Sequence, residues 1–293
     1  MAATTAVAPK AAARTAPQPP RRGLPRLRTS IIAGAAYIVA LIFILPYLEM
    51  MLTALRPPKE LLDADYFPHH FAWSNFTSLW STGIGANLRV SLEVAGGATA
   101  LVLLVAIPAA YHTARRKFRG RAAFLLVVLI TQMFQPTALV VGIYGQYNAL
   151  NMIDNIGALI LVNAGFNMAF AIWILNAYFA AIPKELEEAA LVDGCTRIGA
   201  MFRVILPLAL PGIVTALIFT FIAAWNEFIV ALTLTSTPSK EPLTVGLNNF
   251  IGAYSVDWQH LFAGSVIATI PVIVLFALIE RKVVSGLTAG SVK

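Results

Sequence analysis

Ile182-Pro183-Lys184-Glu185-Leu186-Glu187-Glu188-Ala189-Ala190-Leu191-Val192-Asp193-Gly194 is a polar, helix-forming island between two long apolar runs. Pro183 suits the first turn of a helix, where its missing N–H has no partner to lose. Glu185, Glu187 and Glu188 follow, at the positive end of the helix dipole. Ala189, Ala190 and Leu191 are strong helix formers and read as a small apolar face suited to docking in a groove. Asp193-Gly194 stops the helix, with glycine available for the left-handed position after the C-cap. Thr196 caps a second helix through Met201, Phe202, Val204 and Ile205 towards Pro207. Residues 182–207 are therefore expected to form a helix, a sharp turn and a second helix returning to apolar sequence.

Outward from the island, the chain is overwhelmingly apolar. Of its 293 residues 58% are hydrophobic and 12% charged, with a mean hydropathy of +0.76. A soluble domain carries about 25% charged residues, so this chain cannot cover a water-facing surface. Six apolar runs lie near Ile31–Leu55, Leu88–Ala114, Ala122–Tyr144, Ile156–Ile182, Leu208–Leu234 and Leu261–Val284. Each has roughly the 20 residues a transmembrane helix needs. The fold class expected is all-α: a polytopic membrane protein with six spans. Pro46, Gly96-Gly97, Pro108, Pro136 and Pro271 fall inside the runs, where neighbouring helices tolerate a kink. Residues 1–29 are rich in Ala, Pro and Arg and read as a disordered tail. The first run is too long for the core of a cleaved signal.

Charge fixes an orientation. Seventeen of the 21 Lys and Arg residues lie in the tail, at Arg115–Arg121, around the island or near the C-terminus. Only Arg56, Lys59, Arg89 and Lys240 fall on the other side. The positive-inside rule then places both termini and the island in the cytoplasm. It also accounts for the net charge of +7 without nucleic acid as a partner. The single cysteine, Cys195, permits no intrachain disulfide, and His69-His70 has no third ligand at metal-binding spacing. No phosphate-cradling G-x-x-x-x-G-K-[ST] sequence occurs, so no ATP site is expected in this chain. No catalytic constellation is present either.

Glu188-Ala189-Ala190-Leu191-Val192-Asp193-Gly194, nine residues, then Val204-Ile205-Leu206-Pro207 resembles the EAA loop of bacterial ABC-importer permease subunits, with Val204 in place of the family's isoleucine. Ala224-Trp225-Asn226-Glu227-Phe228 and the terminal Val284–Lys293 stretch resemble the carbohydrate-uptake branch, and within it the maltose-type second permease with six spans. The resemblance covers roughly Ile31 to Lys293. It implies the transmembrane domain of a type I importer: a first helix and external loop at 30–83, a permease core at 84–284, and a cytoplasmic tail at 285–293. It further implies a heterodimer with a second permease, a cytoplasmic ATPase dimer that binds ATP and Mg, an extracytoplasmic binding protein, and a bacterial inner-membrane location.

By that resemblance Glu188, Ala189, Ala190, Leu191, Asp193 and Gly194 form the coupling helix seated in the ATPase. Gly286, Leu287, Thr288 and Gly290 contact the ATPase from the tail. Asn226 and Glu227 lie on the translocation path or at a subunit contact. Asn248 and Asn249 belong to a loop that meets the binding protein. The cargo implied is a sugar or oligosaccharide, with a polyol, glycerol phosphate or another solute as the alternative. A proton-coupled carrier using Glu49, Glu93 or Glu227 is the competing reading, since acids inside spans mark ion paths.

Overall fold

The computed structural model describes residues 26–60, 67–116 and 118–289, with side chains described from Ser30 to Leu278. Contacts divide the chain into Met1–Leu48 and Glu49–Lys293. In the first unit the described structure is the N-terminal part of α1 (Arg26–Ala54), a helix that carries Pro46 inside it. Residues 26–29, expected in the disordered tail, are thus helical, and residues 1–25 lie outside the described structure.

The second unit is built around two long helices. A short helix, α2 (Ser74–Leu79), precedes α3 (Ile84–Arg115). The Asn75 amide of α2 donates to the carbonyl of Ala54 (2.9 Å), which the end of α1 leaves without a helical partner, and to that of Arg56 (3.0 Å) just beyond the helix. On α3, Ala95, Ala98, Val102, Ala106 and Ala110 recur at helical spacing and are fully buried. Small residues there let α6 (Ile156–Ala181) approach closely. At Gly97 a Cβ would lie 2.8 Å from Ile160 Cδ1.

Between them the third apolar run is broken. α4 (Arg121–Thr131) and α5 (Pro136–Ala149) meet at 93°. Pro136 is the cause: it disfavours helical geometry at the preceding residue, and Gln135 is extended with φ −74° and ψ 135°. After α6 come the island helix α7 (Glu185–Val192) and α8 (Arg197–Ala200). A π-helical turn (Met201–Ile205) leads to α9 (Leu206–Leu208) and then α10 (Leu210–Trp225), which lies at 75° to the stretch feeding it. α11 (Ile229–Leu234), α12 (Leu243–Asn248) and α13 (Trp258–Ala289) complete the order.

The six apolar runs therefore appear as straight and broken helices. Four are long and apolar enough to cross a membrane: Ser30–Ala54, Ile84–Arg115, Ile156–Ala181 and Trp258–Leu278. Counting each bent pair as one span raises the number to six. Among the described residues the only extended pairing is the isolated bridge Ile251–Val256. At the C-terminus no proline follows Pro271, and the helical ladder of α13 continues past the expected boundary at 284 to Ala289. Gly286, Leu287 and Thr288 are thus its last turns, and Gly290 lies outside the described residues.

Candidate functional site

The island folds as two short helices around a glycine turn. Lys184 is the N-cap of α7, which puts Pro183 one residue before the cap rather than in the first turn. The C-terminal stop is a Schellman motif. Cys195 N–H donates to Ala190 O (2.9 Å) and Gly194 N–H to Leu191 O (3.1 Å), with Gly194 at φ +85°. Thr196 Oγ1 accepts from Gly199 N–H (3.1 Å) and caps α8, as its position in the sequence predicts.

The helix surface divides differently from the sequence expectation. Ala189, Ala190 and Leu191 do not share a face. Ala190 is buried and Leu191 lines an open cavity, while Leu186, Ala189 and Val192, spaced by three, point outward. Glu188 and Asp193 are exposed beside them. Val192 is 87% exposed, unusual for a branched aliphatic residue on a helix that is otherwise anchored.

The anchor is Glu187, which sequence reasoning passed over as one acid among three. Its carboxylate accepts from Tyr111 Oη (2.7 Å) and faces Arg115 Nε at 3.2 Å. Both side chains of the ion pair are nearly buried, 6% and 10% exposed. Arg115 Nη1 donates to Ile182 O (2.8 Å), closing the end of α6 as well. Nη2 finds no acceptor among the described residues. The island helix is thereby fixed to the end of α3, not hung from a loose loop. Between them is a cavity of about 530 Å3, lined on the α3 side by Pro108, Tyr111, His112, Arg115 and Arg116 and on the island side by residues from Lys184 to Phe202.

A second cavity, about 490 Å3, opens at the α4–α5 break. Gln132, Gln135, Asn163, Asn167 and Glu227 give it a polar wall, and Phe134 and Phe166 an aromatic one. Glu227 is held there by its own backbone: its carboxylate accepts from Val230 N–H (2.7 Å) and Ala231 N–H (3.0 Å), capping α11. Trp225, next to it, donates to Ala268 O (3.2 Å) and ties α10 to α13. Asn226, the C-cap of α10, is exposed and does not line the cavity. Glu93 pairs with Arg89 at 3.0 Å, and Glu227 caps α11.

On the opposite end, the loop from Thr235 to Asp257 is mostly folded down. Asn87 donates to Pro238 O (3.0 Å) and Glu241 O (2.8 Å), and Leu243 N–H donates to Ser91 Oγ (2.7 Å). Asn249 donates to Glu241 (2.6 Å), so its amide serves the loop itself, and Asn248 closes α12. The tip is instead the turn at 252–255, where Tyr254 is fully exposed. Asp154 pins the other edge, accepting from Ser236 N–H (3.1 Å), Thr237 N–H (3.0 Å) and Thr237 Oγ1 (2.6 Å), with Lys240 Nζ at 3.2 Å.

Over residues 102–286 the sequence matches the family described as the binding-protein-dependent transport system inner membrane component. The chain belongs to that family. It is a multi-pass permease subunit of an ABC transporter. The sulfoquinovosyl glycerol transport system permease protein SmoH of Agrobacterium fabrum is 35% identical over 262 residues, covering 88% of this chain and 92% of that protein. The trehalose transport system permease protein SugB of Mycobacterium tuberculosis is 33% identical, covering 85% and 92%. The trehalose/maltose transport system permease protein MalG of Thermococcus litoralis is 30% identical, covering 91% and 98%. In fold, this permease matches a chain in the crystal structure of a bacterial ABC transporter involved in import of the acidic polysaccharide alginate, with a TM-score of 0.74, 21% identity, and coverage of 91% and 99%.

Proposed function

We propose that this permease carries a sugar or oligosaccharide inward, driven by a separate ATPase dimer that grips the outward face of α7. The single observation behind this reading is the division of that helix. One face, through Glu187, is locked to α3. The other, Leu186, Ala189 and Val192 flanked by Glu188 and Asp193, is an unpartnered apolar ridge with acidic edges. A force applied to the ridge passes into a membrane-spanning helix and not into a loop. ATP and Mg belong to the ATPase subunits, which Glu188, Ala189, Asp193 and the Gly194 turn meet directly while Ala190 and Leu191 hold the helix in place.

The remaining assignments follow from the same frame. Both termini are cytoplasmic, on the side of the positive loops, and the end of α13 with Gly286, Leu287, Thr288 and Gly290 reaches the ATPases. A second permease completes the pathway. The extracytoplasmic binding protein meets the loop whose tip carries Tyr254, with Asn248 and Asn249 shaping its base. The amide-lined cavity at Gln132 and Glu227 suits a hydroxyl-rich solute, and the names of the relatives favour a glycoside.

Gly194→Pro tests the coupling. Proline cannot adopt φ +85° and removes the N–H that bonds Leu191. The protein should reach the membrane in normal amount yet lose uptake, with ATP hydrolysis no longer tied to it. Normal uptake would overturn the proposal. The cargo is tested separately by thermal shift of the cognate binding protein against sugars. Stabilisation by a polyol or glycerol phosphate alone would remove the sugar and leave the coupling untouched.

A further inference from the structure

The polar wall of the cavity at the α4–α5 break has a direction. Three of its amides turn their nitrogens to backbone carbonyls. Asn163 Nδ2 donates to Leu159 O (3.0 Å), Asn167 Nδ2 to Asn163 O (2.8 Å) and Gln132 Nε2 to Phe166 O (3.1 Å). A carbonyl at that distance decides which end of an amide faces it, and the oxygen is then the end left over. Thr131 Oγ1 spends its proton in the same way, on Val128 O (2.7 Å). Asn163 is 3% exposed, yet its Oδ1 accepts nothing from the described residues and is not sealed from solvent. Glu227 adds two carboxylate oxygens, each of which accepts one N–H and keeps room for another. Among the lining residues only Gln135 keeps an uncommitted amide nitrogen, and none is Lys, Arg or His. The wall therefore offers a cargo mainly acceptors.

We infer that this wall selects an uncharged saccharide and rejects an acidic one. A hydroxyl donates as well as accepts, so a neutral sugar satisfies a row of oxygens. An ionised carboxylate, sulfonate or phosphate brings acceptors to a wall of acceptors that holds no cation. A neighbouring subunit can supply donors to the far side of such a cargo, but the oxygens on this side stay in place. The inference rests on the saccharide reading under Proposed function and narrows it: glycerol phosphate and acidic sugars drop out, and neutral glycosides remain.

The test uses the assembled transporter in nanodiscs without its binding protein, so that the membrane subunits alone select. Methyl glucoside and methyl glucuronide differ by one group, a hydroxymethyl against a carboxylate. Saturation-transfer NMR reads each sugar after subtraction of empty nanodiscs. Wild type should saturate the glucoside at least about fivefold more than the glucuronide. Gln132→Arg, at an exposed position, keeps a donor for Phe166 O and adds a cation. It should bring the two sugars within about twofold of each other. Equal saturation of both sugars by wild type overturns the charge selection and leaves the saccharide reading standing. A preference unchanged by Gln132→Arg overturns this cavity as the place where the selection is made. Saturation of neither sugar overturns the saccharide reading of the cavity, and this inference with it.

Discussion

Glu187 differs from its neighbours by what it faces. Glu185 and Glu188 meet water, while Glu187 lies against a buried arginine. Removing one partner of such a pair leaves an uncompensated charge, which costs about 3–5 kcal/mol. Arg115→Met should therefore lower the thermal midpoint in detergent more than Tyr111→Phe, which removes one hydrogen bond to a charged group and costs about 1.5–3 kcal/mol. If the two variants lose stability equally, the ion pair is not the anchor. Nothing in the sequence separates Glu187 from the other acids, because its partners Tyr111, 76 residues away, and Arg115 lie on another helix. Gly194 and Thr196 were legible for the opposite reason. Their roles are set by backbone geometry within two or three residues, where residue type alone decides.

At the scale of elements, close packing explains where small residues stand. A Cβ at Gly212 on α10 would overlap the ring of Tyr178 on α6. Gly212→Ala should cost about 1–3 kcal/mol by overpacking, read as a lower unfolding midpoint. An unchanged midpoint would mean that α6 and α10 part freely. The loop at Asp154 offers a test by pH. Burial alone would raise its carboxyl, but hydrogen bonds from Thr237, Ser236 and Lys240 outweigh it and hold the group well below the usual carboxylate range. A depressed value stabilises the fold above the unfolded-state value of about 3.9 and is lost as pH falls below it. The stability gap between wild type and Asp154→Ala should be constant from neutral pH to about 5 and shrink below about 4. A gap that widens on acidification contradicts the assignment. That Ala189, Ala190 and Leu191 share no face of α7 also has an elementary cause. Three consecutive helical residues spread over most of the circumference, so Ala189, Ala190 and Leu191 could not point one way. The break at Gln135 is written in Pro136, yet run length alone reads through it.

For the whole molecule, hydropathy carried most of the architecture, since a chain in lipid must satisfy its backbone within helices. What it could not carry was the joining of distant elements, such as Asn87 beneath the 238–241 turn or Trp225 on α13. Those contacts decide that the 235–257 loop is a folded platform with Tyr254 at its tip. Tyr254→Ala should weaken stimulation of ATP hydrolysis by the binding protein while leaving the basal rate and the melting point unchanged. A shifted melting point would instead make Tyr254 part of the loop's own packing.

The central claim is that the outward ridge of α7 is where the ATPase takes hold. It is met most directly by placing a photo-cross-linking residue at Ala189 or Val192 in the assembled, transport-active complex, with Val141 on α5, 81% exposed, as the control. The account predicts ATPase adducts from positions 189 and 192 and none from 141. An active complex that yields no ATPase adduct from either ridge position would contradict it.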